Sequence, residues 1–107
     1  MAALSIQERK RLRQIGHALN PVVMVGGQGL TENVIEETNR ALNDHELIKV
    51  KIGGEDREVR AAVIIEIAAA TGSEVVQTIG KIALLYKKAA KQNAKLSNLV
   101  RHAHLSN

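Results

Sequence analysis

Glu74-Val75-Val76-Gln77-Thr78-Ile79-Gly80-Lys81-Ile82-Ala83-Leu84-Leu85-Tyr86 reads as two strands joined by a two-residue turn. Gly80-Lys81 leaves room only for a hairpin, so strand four (82–86) runs antiparallel to strand three (74–79). Strand four is apolar almost throughout and suits the interior of a sheet. Glu74, Gln77 and Thr78 give strand three the character of an edge. Upstream, a helix is expected over 57–71, stopped by Gly72 in the position where left-handed backbone ends helices. Leu47–Ile52 alternates: Ile48, Val50 and Ile52 point one way, Lys49 and Lys51 the other. Before it, 32–44 carries Val34, Ile35, Thr38, Ala41 and Leu42 on one helical stripe. Val22–Val25 is a first strand, which Pro21 can begin but not interrupt. Ser5-Ile6-Gln7-Glu8 is a capping box, so a helix starts near Ile6 and runs to about Ala18, with Leu12, Ile15 and Leu19 on one side.

The element order is therefore αβαβαββ. Helical crossovers make strands one, two and three parallel and set both crossover helices on one face. With strand four interior, the sheet order is 1-2-4-3. The expected fold is a two-layer α+β domain over residues 1–88 with a mixed four-stranded sheet. The lysine-bearing face of strand two is expected to stand largely open to water. Residues 89–107 form a basic tail, read as a frayed helix or disordered.

Gly26-Gly27-Gln28-Gly29 lies between strand one and the second helix. A glycine loop there offers backbone N–H groups at the positive end of a helix, where an anion can approach closely. The P-loop spacing and the dinucleotide fingerprint are both missing. What remains is G-x-x-G, the spacing with which KH-type loops clamp an RNA backbone. A turn that merely needs positive φ at Gly26 and Gly29 explains the same letters.

The 107 residues allow one domain with a modest core. The chain has no cysteine, hence no disulfide, thiol nucleophile or thiolate metal site. It shows no signal peptide and no apolar run long enough to span a membrane, so a cytoplasmic protein is expected. Tyr86 is the one aromatic side chain, which excludes a platform of stacked rings for bases. The net charge is +4. Arg9, Lys10, Arg11 and Arg13 make the front basic, as Lys81, Lys87, Lys88, Lys91, Lys95 and Arg101 make the rear. Glu32, Glu36, Glu37, Asp44 and Glu46 make the middle acidic. Such asymmetry fits one polyanion-facing side.

The topology gathers residues. The ends of strands one to three bring the G-x-x-G loop, the Gly53–Arg57 loop and the Gly80-Lys81 turn together. With helix one antiparallel to strand one, Arg9 and Lys10 are expected at the same end, and Lys49 and Lys51 continue the basic surface. The expected RNA-binding set is Gly26, Gly27, Gln28, Gly29, Thr31, Arg9, Lys10, Arg13, Lys49, Lys51, Arg57 and Lys81.

Pro21-Val22-Val23, Gly26-x-x-Gly29-Leu30-Thr31-Glu32, His45-Glu46-Leu47-Ile48-Lys49-Val50-Lys51, Glu55-Asp56-Arg57-Glu58 and Ile79-Gly80-Lys81 with Leu85-Tyr86 resemble the CRM domain, named for chloroplast RNA splicing and ribosome maturation. The likeness covers about residues 4–88 and is greatest to the free-standing, YhbY-like bacterial form. It implies RNA binding, association with precursors of the large ribosomal subunit, and a fold like the C-terminal domain of translation initiation factor three. The family's G-x-x-G loop falls on Gly26–Gly29.

No Ser/His/Asp set or activated nucleophile stands out, and no catalysis is expected. His102-x-His104 lacks a third metal ligand. Glu55-Asp56 suits helix capping better than Mg²⁺ binding, and His45 suits a structural turn. Neither cofactor nor metal is expected. The expected partner is RNA, specifically ribosomal RNA of a large-subunit precursor, with no membrane, and the protein is expected as a monomer in isolation. Two other classes compete: a small enzyme or binding module for a phosphorylated metabolite at the glycine loop, and a protein-interaction module using the acidic second helix.

Overall fold

A computed structural model describes residues 4–106. Residues 1–3 and 107, the outer ends of the expected domain and tail, lie outside the described residues. Ser5 accepts the Glu8 N–H while Glu8 Oε1 accepts that of Ser5, both at 3.0 Å, and this reciprocal cap starts α1 (Ile6–Gly16). β1 (Pro21–Val25) follows, then α2 (Glu32–His45), β2 (Leu47–Ile52), α3 (Arg57–Thr71), β3 (Glu74–Ile79) and β4 (Ile82–Tyr86). Asp56 caps α3 by accepting the N–H groups of Glu58 and Val59, and Gly72 ends it at φ +67°.

The sheet order is β1-β2-β4-β3, with β1 and β2 parallel and β4 antiparallel to both neighbours, as the hairpin demanded. One face carries the main core. Val23, Val25, Ile48, Val50, Ile52, Ala83 and Leu85 pack there against Leu42 of α2 and Ile64 and Ile67 of α3. The buried stripe of α3 is Ile64, Ile67 and Thr71, and Glu66 is exposed.

The other face departs from the open surface expected. Leu12 and Ile15 of α1 pack on Leu47, Val76 and Leu84, making a second, smaller core. α1 crosses this face rather than flanking β1, because its apolar side matches the odd positions of β2 and the even ones of β4. Among the described residues, the part of this face beyond Gly16 is left open, with Met24 and Ile79 exposed. Gly16 lies so close to β4 that a Cβ would stand 2.7 Å from Leu84 Cδ2.

The tail is also ordered, against the frayed or disordered reading. It forms α4 (Asn98–Arg101) and a 3₁₀ turn (Ala103–Ser106), and Leu99 and Leu105 pack onto the smaller core. Its anchor is Glu46, only 2% exposed and held at φ +63° between α2 and β2. The Glu46 carboxylate accepts the Ala89 N–H (2.9 Å), the Gln92 amide and the Ser97 hydroxyl (2.8 Å). Burial alone would raise its pKa. The three hydrogen bonds and the charge of Lys88 outweigh that and hold it below the ordinary glutamate value. Asn98 Nδ2 donates to the Leu47 carbonyl at 2.7 Å, and His45 Nδ1 lies 2.9 Å from the Leu96 carbonyl. His45 is thus structural, as expected. The sequence hid this anchorage because its donors come from a segment without hydrophobic periodicity.

Candidate nucleic-acid interface

Three glycine-containing segments meet where β1 and β2 end. The Gly53 N–H donates to the Val25 carbonyl at 2.7 Å, and the Ile52 N–H to the Lys81 carbonyl at 2.7 Å. A Cβ on Gly53 would stand 3.1 Å from the Val25 carbonyl oxygen, so glycine permits this approach. Lys81 Nζ lies 3.8 Å from Glu55 of the neighbouring loop.

The G-x-x-G loop projects from that base. The Gly29 N–H donates to the Gly26 carbonyl at 3.0 Å, closing a turn. Gly29 has φ +79° and needs its freedom; Gly26 does not share the positive φ. Gly26, Gly27 and Gln28 are exposed, and a Cβ at Gly26 or Gly27 would meet nothing within 4 Å. Packing therefore does not require glycine at 26 or 27. The N–H groups of Gly27 and Gln28 have no acceptor among the described residues.

Both crossover helices start at this end, and the two starts differ. α3 is capped by the Asp56 carboxylate, which neutralises its positive end. α2 is capped by a neutral hydroxyl: Thr31 Oγ1 accepts the Val34 N–H at 3.2 Å and keeps its own proton to donate. The loop N–H groups of Gly27 and Gln28 and the Thr31 hydroxyl are thus donors close in sequence to the start of α2. Backbone donors at a helix start are the kind of group that suits an anion, although Glu32 adds a negative charge to the first turn of α2.

Cations surround it unevenly. Arg57 and Lys81 are exposed at the same end, and Lys51 is exposed near the end of β2. Lys49 lies one step further from the loop and is half-buried. The expectation for helix one is corrected. Arg9 Nη1 donates to the Val75 carbonyl at 2.9 Å, and Nη2 lies 3.7 Å from Glu74. Glu74 and Val75 begin β3, so Arg9 sits at the opposite end of the sheet from the G-x-x-G loop. Lys10 is next to it and Arg13 one turn further on. The cause is the crossing of α1 over the smaller core.

Arg60 escaped the sequence reading. Its Nη1 donates to the Gly54 carbonyl at 2.8 Å, while Nε is buried with no partner among the described residues. Its spacing of three from Arg57 on α3 was the available signal. Both arginines line a cleft of about 600 Å³ between α3 and β3, with Ile64, Ile65, Val75 and Thr78. The described residues contain no group of three His, Cys, Asp or Glu placed to hold a metal. No described helix is long and apolar enough to cross a membrane.

Residues 4–87 match the CRS1 / YhbY (CRM) domain, and the chain belongs to that family. A probable RNA-binding protein of Pseudomonas aeruginosa is 50% identical over 101 residues, covering 94% of this chain and 97% of that one. An RNA-binding protein of Haemophilus influenzae is 47% identical, covering 90% and 97%. The solution structure of a Staphylococcus aureus protein, described as an RNA-binding candidate, superposes with a TM-score of 0.74 at 28% identity. It spans 89% of this chain and 98% of that one.

Proposed function

We propose that the protein binds RNA through the G-x-x-G loop and the basic surface beside it, and acts without catalysis as an assembly factor on ribosomal RNA in large-subunit precursors. The observation that carries the reading is the exposed loop itself. Gly27 and Gln28 have free N–H groups next to a helix start capped by a neutral threonine, and the packing does not require Gly26 or Gly27 to be glycine. Similar chains bearing RNA-binding names support the ligand class. The resemblance to a domain of ribosome maturation supports the target.

In this reading a backbone phosphate sits against Gly26–Gly29 and Thr31, with Arg57 and Lys81 on adjacent phosphates and Lys49 and Lys51 along the strand. Arg9, Lys10 and Arg13 form a separate cluster that reaches RNA only if the RNA extends to the far end of the sheet. The molecule works in the cytoplasm as a monomer, needing neither cofactor nor membrane. Sedimentation of the tagged protein through a gradient of cell extract tests the target. The protein should travel with large-subunit precursors, and less so as salt rises, because phosphate contacts release counterions. Migration only with the free-protein fractions at low salt would refute the ribosomal assignment.

A further inference from the structure

The uncovered part of the sheet carries a row of side chains that nothing in the fold requires to be apolar. Strand register aligns Met24 with Lys51, Lys51 with Ile82, and Ile82 with Ile79. These four lie side by side across all four strands. They share the face opposite the main core, since Val23, Val25, Val50, Ile52 and Ala83 beside them are buried under the crossover helices. Met24 is 67% exposed and Ile79 61%, large values for side chains of this kind. Ile82 is half-buried and Lys51 exposed. Three inter-strand steps of about 4.8 Å make the row roughly 14 Å long. Between it and the end of α1 is a shallow hollow of about 50 Å³, lined by His17, Lys49, Gln77, Ile79, Ile82 and Leu84.

We propose that this row is a platform for the bases of a single-stranded RNA segment whose phosphates pass Lys49, Lys51 and the G-x-x-G loop. The inference rests on the RNA-binding reading above and adds to it which part of the RNA the sheet touches. Charge selects the occupant. The row and the hollow beside it contain two lysines and a histidine and no carboxylate. An apolar peptide, or a second copy of the chain packed through the same row, would leave Lys51 buried without a counter-charge at the centre of the contact. A polyanion with flat apolar faces satisfies both features at once. Tyr86, the one aromatic ring, is at the far end of β4, paired with Leu47 and Glu74. Bases near the loop therefore meet aliphatic and thioether surface, which is adaptable and tolerant of sequence.

The test uses the full chain carrying Met24→Thr and Ile79→Thr together, an unstructured RNA oligonucleotide, and a perfect RNA duplex of equal length, each titrated at several salt concentrations. Both residues are exposed, so the melting temperature should stay within a degree or two of the parent's. The expected result is a loss of about 5–10-fold in affinity for the single strand with the salt slope unchanged. Affinity for the duplex, whose bases are inside, should be unchanged. Lys51→Gln should instead lower the single-strand slope by about 0.7, the signature of one lost phosphate contact. Equal single-strand affinity in parent and double variant overturns the platform. Equal losses on both RNAs also overturn it. If Gly27→Asp with Gln28→Asp in the G-x-x-G loop loses binding while the Met24/Ile79 double variant keeps it, the platform falls and the loop reading stands. A parent that binds neither RNA removes both.

Discussion

Individual residues divide into those that hold the loop end together and those the fold leaves free. Gly53 belongs to the first group. Gly53→Ala would push a methyl to 3.1 Å from the Val25 carbonyl and should cost about 1–3 kcal/mol, read as a lower denaturation midpoint. Gly26 belongs to the second: Gly26→Ala meets nothing within 4 Å and should melt with the parent. Glu46 is the residue whose ionisation the fold exploits. Its folded pKa lies below the unfolded value, so its contribution to stability is present above about pH 4.5 and fades as pH falls through the folded pKa. Glu46→Gln sets an amide N–H₂ among donors and should cost about 1–3 kcal/mol at neutral pH. The gap between variant and parent should narrow in acid. A gap constant from pH 7 to pH 3 would show that the charge on Glu46 is not what the site holds.

Among the elements, β2, α3, β3 and β4 have the bounds expected, because period-two alternation, an N-cap aspartate and a left-handed glycine are local signals. The path of α1 and the ordering of the tail were not legible. α1 turns Leu12 and Ile15 toward Leu47, Val76 and Leu84, and which strands it crosses is set by these partners distant in sequence. The tail is held by Glu46, Asn98, Leu99 and Leu105, a set without period. A chain ending at Lys88 is proposed to fold, since every strand and both crossover helices remain, but to lose on the order of 2–4 kcal/mol with the two leucines and the Glu46 bonds. Circular dichroism melting checks this. A truncated chain with no cooperative transition would make the tail part of the folding unit.

At the scale of the whole molecule, topology converts a chain with scattered charge into one end that presents donors and cations. Parallel strands place the G-x-x-G loop, Gly53–Arg57 and Gly80-Lys81 together, and this much followed from element order. The candidate site was legible as far as β-strand direction sets it, and illegible at Arg9, Lys10 and Arg13, whose place depends on α1. Salt dependence should separate the two clusters. Arg57→Ala with Lys81→Ala should reduce the slope of RNA affinity against salt by one to two, and Lys10→Ala by less. The most direct measurement concerns the loop that defines the site. Gly27→Asp with Gln28→Asp places two negative charges where a phosphate would sit, at exposed positions free of steric conflict. RNA affinity should fall tenfold or more, since the loss of charge-assisted bonds is worth about 1.5–3 kcal/mol, with the melting temperature near the parent's. A variant that melts like the parent and binds RNA equally well would contradict the account, leaving the glycines as a turn and nothing more.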